Sequence, residues 1–446
     1  MKTILIKFGF NKAIVYFIAS KGFLFIATPI TLYLITTYFT PQVQGYYYTF
    51  SSLLGISILF ELGLAIVIQQ FASHEYAHLS WDNRGTLTGD AKSLSLIISL
   101  ARKSLRWYGI VSFLFVVIII PSGLYFLKSN ARDTGLSYTI PWILLIIFFG
   151  FSTALLPLTS ILEGCGKIAE VQKIRLTQSV IGVFGAWIAI RSHGNLFTSV
   201  IEFAIYWLVL VIWLLFKYRN FIRQILNTTI LSQDTFSWFH DIFPMQWKIA
   251  VSWMAAYFMN YLFIPLLFKY RGAVEAGQMG MSMKFSSLVY LLSIAWISMR
   301  TPDFGAMIKK REIQKLEALV IRSTLQAAIV GILTTIGAIV GILVLNNYTN
   351  KFVGRIIPLT GILFLCLASV LGVIAAGIAS YLRAHKEEPL MGVTILIAII
   401  SAISCFITAK YYNASSMAFM YFLISLCVGV PAHVYILHKK RKIWYK

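Results

Sequence analysis

Long apolar runs, separated by short polar or charged stretches, recur along the whole sequence. Twelve of these runs are long enough to cross a bilayer, whose hydrocarbon core takes about 20 helical residues. Their approximate spans are 11–38, 45–71, 107–128, 139–163, 174–191, 196–217, 245–269, 277–300, 317–345, 355–382, 388–409 and 414–437. The pattern predicts an all-α polytopic membrane protein, because an α-helix satisfies its own backbone hydrogen bonds in lipid.

Composition supports this class. Hydrophobic residues make up 59% of the chain and charged residues 12%, and the mean hydropathy is +0.79. A soluble domain carries about 25% charged residues. The net charge of +22 could indicate nucleic-acid binding. The basic residues lie in short loops between apolar runs, however, and this is a signal of membrane topology. We therefore expect no nucleic-acid partner.

Lysine and arginine are unevenly distributed between the two sides of the predicted spans. With the N-terminus inside, 28 of them fall in cytoplasmic segments and 8 in outside segments, while Lys21 and Lys284 lie within spans. This bias predicts cytoplasmic N- and C-termini in a bacterial inner membrane. It also supports twelve spans, because adding or removing one helix would disrupt the alternation.

The spans divide into two halves of similar layout. Each half has six spans, with charged loops after its second and fourth. We predict an N-lobe at 1–217, a cytoplasmic inter-lobe loop at 218–244 and a C-lobe at 245–446. Two six-helix lobes with a site between them suit alternating access. The other long inside loop, 72–106, holds the turn-rich stretch WDNRGTLTGD and then a predicted surface helix that runs into the third span.

No motif for catalysis, metal binding or nucleotide binding is visible. The four cysteines lack CxxC spacing, and no GxxxxGK[ST] sequence occurs. A polysaccharide polymerase or ligase is the enzyme-class alternative, but the predicted outside loops are too short to hold its catalytic groups. We expect a transporter without a cofactor. An ion gradient (H⁺ or Na⁺), the membrane potential or consumption of the product downstream would supply the energy.

Ionisable side chains within predicted spans are the first site candidates, because they are costly in lipid. Lys21 either snorkels to the cytoplasmic surface or faces a central cavity. Lys284 lies about eight residues inside the outer boundary and is the clearest candidate for a cavity cation. Glu61 is a candidate for ion coupling or for an ion pair with Lys21. Alternatively, Glu61 is a protonated carboxyl that is packed between helices.

Three further candidates lie in the second half. Lys248 and Arg300 are near the predicted cytoplasmic surface. Each either anchors the protein at the membrane surface or binds substrate. Asn260 is a mid-span amide that either bonds to a neighbouring helix or contacts substrate. Cations in or beside the spans outnumber intramembrane carboxylates, so the predicted cavity attracts anions. Phosphate and pyrophosphate are the obvious candidates.

Several segments resemble a known transporter family. They are TPITLYLITTYFTPQVQGYYYTFSSLLG, FELGLAIVIQQFAS and LEGCGK. With twelve spans and a basic interior, the chain resembles the Wzx-type O-antigen and polysaccharide flippases of the multidrug/oligosaccharidyl-lipid/polysaccharide (MOP) exporter superfamily, and so a MATE-like fold is expected. The resemblance implies transfer of an undecaprenyl-pyrophosphate-linked oligosaccharide to the periplasmic leaflet. Its partners would be membrane lipid and the polymerase and chain-length proteins of the same pathway.

Two other transporter classes compete with this interpretation. Ion-coupled multidrug exporters of the same superfamily carry organic cations and need cavity carboxylates, whereas the first span here offers Lys21. Lipid II flippases resemble this chain in charge but typically have two extra helices. The multidrug exporter is therefore the main alternative function.

Overall fold

The computed structural model describes residues 12–130, 135–228, 243–349, 351–385 and 389–444. This described part consists of helices and one small hairpin. In chain order the elements are α1 (Lys12–Tyr38), α2 (Pro41–Leu54), α3 (Ser57–Glu61), α4 (Leu64–Tyr76), β1 (Leu79–Trp81), β2 (Leu87–Gly89), α5 (Ala91–Asn130), α6 (Thr139–Ala154), α7 (Leu156–Leu162), a π-helical segment (Glu163–Lys167), α8 (Ile168–Arg191), α9 (Phe197–Lys217), α10 (Arg219–Asn227), α11 (Phe243–Asn260), α12 (Phe263–Arg271), α13 (Ala273–Ser298), α14 (Thr301–Lys309), α15 (Ile313–Thr349), α16 (Leu359–Ala384), α17 (Met391–Tyr411), α18 (Ala414–Ile424), a second π-helical segment (Ser425–Gly429) and α19 (Val430–Trp444).

The number of membrane spans agrees with the hydrophobic pattern. Within the described ranges, ten helices are long and apolar enough to cross a membrane, and the bent pair Pro41–Glu61 and Leu64–Tyr76 makes an eleventh. One of the ten, Thr139–Arg191, has 53 residues and would be about 80 Å long as one straight helix. That is more than twice the bilayer core of about 30 Å. We count its two arms as separate spans, which gives twelve, and the all-α polytopic prediction is confirmed.

The sequence LEGCGK forms the break between these two arms. Gly166 has a left-handed backbone with φ of 80°, which glycine adopts without steric cost. Gly164 lies so close to α4 that an added Cβ would be 2.5 Å from the carbonyl oxygen of Gln69. The two glycines therefore serve different needs, since one permits the backbone break and the other permits close packing.

The chain forms two compact units. The first contains α1, α3–α10 and the hairpin, and the second contains α2 and α12–α19, while α11 spans the boundary. The predicted lobe limits at 1–217, 218–244 and 245–446 stay a prediction, and residues 229–242 of the predicted loop lie outside the described residues. In the first unit α8 packs against both α1 and α9, and α9 also packs against α6.

A β-hairpin at 79–89 and a short helix at 219–227 occupy stretches for which no regular structure was predicted. Strands β1 and β2 pair antiparallel, with Trp81 opposite Leu87. Gln224 of α10 attaches to this hairpin by accepting from the Leu87 N–H at 2.9 Å and donating to the Leu87 carbonyl at 2.7 Å. A helix does form at the end of the predicted loop 72–106, as the first turns of the 40-residue helix α5, but residues 97–101 of it are buried in the protein. Its predicted position on the membrane surface stays a prediction.

Helices α2 and α13 of the second unit approach each other through glycines. A Cβ added to Gly45 would lie 1.9 Å from the carbonyl oxygen of Ala273, and one added to Gly277 would lie 2.8 Å from the Gly45 nitrogen. The buried Gln44 side chain donates to the carbonyls of Gly277 at 3.0 Å and Arg355 at 2.8 Å. Small residues let membrane helices pack closely, and a side-chain amide then bonds across the contact.

We expect Gly45→Ala to destabilise the protein by about 1–3 kcal/mol, because the new methyl group meets backbone that cannot move aside cheaply. Gly337→Ala is the matched control, since Gly337 is exposed within α15 and its Cβ would have nothing within 4 Å. That change should be neutral or slightly stabilising. Thermal unfolding in detergent compares the two variants, and equal melting temperatures would contradict the close packing.

Candidate functional site

The second span is interrupted at Glu61. Helix α3 ends at this residue, and the next two residues, Leu62 and Gly63, are left-handed with φ of 50° and 70°. Left-handed backbone at a leucine is uncommon, costs about 1–2 kcal/mol and tends to cluster at functional sites. Irregular backbone at membrane depth occurs where protein or a water-filled cavity surrounds it.

The surroundings of Glu61 are aromatic. The ring of the preceding Phe60 packs edge-on against Phe115, with centroids 5.2 Å apart. The buried Tyr108 hydroxyl is close enough to the Glu61 carboxyl to interact with it electrostatically. Glu61 itself is half-buried. The break therefore presents a partly accessible carboxyl next to a packed aromatic residue in sequence, and this carboxyl interacts with a buried phenol.

A series of aromatic rings continues from this break through the first unit. Neighbouring centroids are 5.2–5.7 Å apart along the order Phe60, Phe115, Phe149, Phe203 and Tyr206. At its far end the Tyr206 hydroxyl donates to the Glu202 carboxylate at 2.8 Å. The series was not predicted, since aromatic residues at helical spacing are usual in any membrane span.

Lys21 and Glu61, two of the predicted residues of the first unit, do not pair with each other. Lys21 is exposed on α1, and its ammonium group lies 5.4 Å from the centroid of the Phe17 ring. Among the described residues Lys21 forms no ion pair with Glu61, so the pair that the sequence suggested is not made. Helix α1 packs against α8, and a short connection in sequence does not by itself make two helices neighbours.

Three predicted residues lie in the second unit. Lys284 is exposed on α13. Asn260 is exposed at the end of α11, just before a short break at Tyr261 and Leu262 that leads into α12. Arg300 lies at the junction of α13 and α14, as its Thr-Pro context predicts, with its guanidinium 3.6 Å from the Asp303 carboxylate. The roles of these residues in binding stay predictions.

The sixth predicted residue, Lys248, lies on α11. Its side chain is outside the described part of the structure.

Glu170 of α8 is the centre of a cluster at one end of the first unit. Its carboxylate lies 2.8 Å from the Lys217 ammonium and 3.6 Å from that of Lys167, and it accepts a 2.5 Å hydrogen bond from the Tyr218 hydroxyl. Burial, together with this carboxylate, raises the pKa of Tyr218 above its usual range, so the phenol remains a donor. These basic residues therefore pair within the protein.

Glu163 forms the second ionic contact of this region. It is buried, with a relative exposure of 7%, and lies 2.8 Å from the Arg175 guanidinium. The Gln172 amide also donates to it, at 3.2 Å. The paired carboxylates of Glu163 and Glu170 serve the structure of the first unit. Within the described residues no group of three or more His, Cys, Asp or Glu side chains could hold a metal ion.

No protein-family model and no curated protein sequence matches the chain. Solved structures do match its fold. An inward-facing multidrug resistance MATE family transporter of the MOP superfamily matches with a TM-score of 0.66 and 13% identity, over 97% of this chain and 99% of that chain. The lipid II flippase MurJ in its inward closed conformation matches with a TM-score of 0.65 and 13% identity, over 95% of this chain and 87% of that chain.

A MOP superfamily transporter from Pyrococcus furiosus, described as having a binding pocket of reverse polarity, matches with a TM-score of 0.52 and 15% identity, over 94% of this chain and 95% of that chain. The chain therefore has the fold of MOP transporters and flippases, and the predicted MATE-like architecture is confirmed. At 13–15% identity this likeness establishes the fold and leaves the substrate open. The matched structures described above are transporters and a flippase.

The buried position of Glu163 generates a stability prediction. We expect Glu163→Ala to destabilise the protein by about 1–3 kcal/mol, because it leaves Arg175 and Gln172 without their acceptor. This range is discounted for the partial exposure of Arg175, 43%.

The matched control is Asp303→Ala, which removes a half-exposed carboxylate from its pair with Arg300. It should change the free energy of unfolding by less than about 0.5 kcal/mol. Denaturation of both variants in the same detergent gives the comparison. A similar loss of unfolding free energy in the two variants would show that the buried ionic contact stabilises the protein no more than the exposed one does.

Proposed function

We propose that the protein is a flippase. Its substrate would be an undecaprenyl-pyrophosphate-linked oligosaccharide, an O-antigen or similar repeat unit of a surface polysaccharide. The protein would move it from the cytoplasmic to the periplasmic leaflet of a bacterial inner membrane by alternating access. The observation that carries the proposal is the exposure of lysine side chains within the spans of a transporter fold. A pyrophosphate group is the complementary charge.

Lys284 is the strongest of these cations. It lies at least 11 residues from either end of α13, or about 16 Å along the helix axis. A lysine side chain is too short to carry its ammonium group over that distance to a membrane surface. Exposure to lipid there would cost several kcal/mol. This cost is avoided if the ammonium group faces an aqueous path through the protein. We propose that the anionic substrate uses the same path and that Lys284 binds it there.

Lys21, Lys248, Arg300 and Asn260 complete the proposed substrate contacts. Lys21 lies nearer to the start of its helix, so it can meet the phosphate groups on the cytoplasmic side. Asn260 precedes a helix break, where backbone polar groups also become available to hydroxyl-rich sugars. Membrane lipid and the polymerase and chain-length proteins of the same pathway are the proposed partners.

Glu61 is the proposed coupling group. Its carboxyl lies at the break in the second span, with the Tyr108 hydroxyl nearby. A carboxyl that binds and releases a proton can bias such a break between two conformations. We propose H⁺ as the coupling ion, with Na⁺ as the alternative.

A multidrug exporter is the second candidate, favoured by the MATE neighbour and by the half-buried carboxyl of Glu61. Reconstitution separates the two functions. Liposomes with purified protein should move a fluorescent lipid-linked glycan between leaflets and should not accumulate an organic cation dye. Dye transport without glycan transfer would favour the exporter and reject the flippase.

We predict that Lys284→Ala abolishes surface glycan while the protein still inserts in the membrane. The change removes the proposed cavity cation and its pairing with pyrophosphate. Glycan is measured by gel analysis of cell-surface polysaccharide, and insertion by immunoblot of membranes. Lys410→Ala, at the end of α17, is the control with the same loss of charge. Wild-type glycan in the Lys284 variant would defeat its cavity role.

We predict that Glu61→Gln slows transfer and flattens its dependence on pH, because an amide cannot exchange a proton. Glu61→Asp should retain a pH-dependent rate with a shifted midpoint. Initial rates in liposomes across pH 5 to 9 test this, with Glu312→Gln as the control, because Glu312 pairs with Lys315 and not with a residue assigned to transport. An unchanged pH profile in Glu61→Gln would remove Glu61 as the coupling group.

A further inference from the structure

A shallow cavity of about 370 Å³ lies on the first unit, between the β-hairpin and α10. It is lined by Arg84, Thr86, Asn220, Arg223, Gln224 and Asn227. Two of these side chains are guanidinium groups, three are amides, one is a hydroxyl and none is a carboxylate. This is the composition of an anion site. None of the proposed transport residues lines it.

The walls of the cavity are held in place by hydrogen bonds. Gln224 bonds to both the N–H and the carbonyl of Leu87, and the Asn220 amide donates to the Arg84 carbonyl at 2.7 Å. These bonds fix the hairpin against the helix. The side chains of Arg84 and Arg223 remain exposed, so their guanidinium groups are available to a ligand.

Helix α10 presents opposite faces to the core and to the cavity. Phe221 and Ile225 are buried, and the Phe221 ring packs against Trp81 with centroids 5.2 Å apart. Arg102 donates to the carbonyl oxygens of Ile225 and Thr228, which otherwise would be unsatisfied at a helix end. The polar face of the same helix then lines the cavity. The site is therefore built from packed elements rather than from loose loops.

Asp82, a carboxylate within the hairpin turn, is occupied by that turn. It accepts from the Thr86 N–H at 2.7 Å, the Arg84 N–H at 3.0 Å and the Thr86 hydroxyl at 2.9 Å. These hydrogen bonds hold the pKa of Asp82 below its usual value, and the bond from the Thr86 N–H has the largest effect. Across the described ranges, neither Arg84 nor Arg223 forms an ion pair with a carboxylate.

The cavity lies next to the end of a candidate membrane span. Helix α10 begins directly after α9, a candidate span of 21 residues. Apolar side chains on both sides of the turn are strongly exposed, with 87% for Phe216 and 68% for Leu226. Such residues suit contact with lipid, and they bring the arginines to the depth of the headgroups. Arginine binds phosphate oxygens in a bidentate geometry.

We propose that this cavity binds the phosphate group of a lipid at the membrane surface. Arg84 and Arg223 supply the charge, and the Asn227 amide supplies a further hydrogen bond. The lipid is either an anionic phospholipid or an isoprenoid diphosphate, since both present phosphate oxygens at this depth. The site does not depend on the transport function, because its residues and the transport residues are different.

Native mass spectrometry of the detergent-solubilised protein tests the site, with single lipids added. The probes are phosphatidylglycerol, undecaprenyl diphosphate and diacylglycerol, which lacks phosphate. The double variant Arg84→Gln/Arg223→Gln should raise the Kd for at least one of the phosphate-bearing lipids by about 10- to 30-fold. Arg219→Gln/Lys173→Gln removes the same charge from exposed positions that do not line the cavity and should stay within about twofold of wild type.

The outcomes distinguish the two candidate lipid ligands. A loss confined to phosphatidylglycerol supports a phospholipid ligand, a loss confined to undecaprenyl diphosphate supports an isoprenoid ligand, and a loss of both supports a general site for lipid phosphate. Equal losses in the control variant, or no loss in either variant, would overturn the proposal. So would binding of inorganic phosphate alone with the same arginine dependence. If the double variant fails to fold, each single variant should show about a fivefold loss.

Discussion

Backbone hydrogen bonding in lipid is the constraint on which the rest of this structure depends. A peptide group inside the bilayer has no water to bond to, so the chain forms long helices that satisfy it internally. Departures from helix are therefore informative. The breaks at Leu62–Gly63, after Asn260 and at Cys165–Gly166 each place polar groups or glycines where a continuous helix would be cheaper. Two of these breaks directly follow a side chain that we assign to transport.

Charge is the second constraint. In the first unit, the carboxylates of Glu163 and Glu170 are paired with arginine and lysine, so they stabilise the fold. The lysines within the spans, Lys21 and Lys284, are exposed. Cationic side chains that line an aqueous path attract anions and repel organic cations. This asymmetry is why we favour a phosphate-linked substrate over a drug, although the fold is shared with transporters of both kinds of molecule.

The hydrophobic pattern predicted most of the spans, because about 20 apolar residues have few alternatives in a membrane protein. The first predicted span, 11–38, compares with Lys12–Tyr38 in the structure. The hairpin at 79–89 was missed since its strands have only three residues each and depend on contacts with a distant helix. Sequence likewise could not decide whether Lys21 and Glu61 pair, because tertiary packing determines which helices are neighbours. Sequence could identify the candidate side chains of the site but could not assemble them.

The sidedness of the lipid-linked precursor in cells that lack the protein tests the central claim most directly. Cells with and without the gene are converted to spheroplasts, and a sugar-specific reagent that cannot cross the membrane labels precursor on the outer leaflet. The flippase account predicts that the precursor accumulates in the deletion strain and remains unlabelled until the spheroplasts are lysed. Labelling of intact deletion spheroplasts at the wild-type level would contradict it.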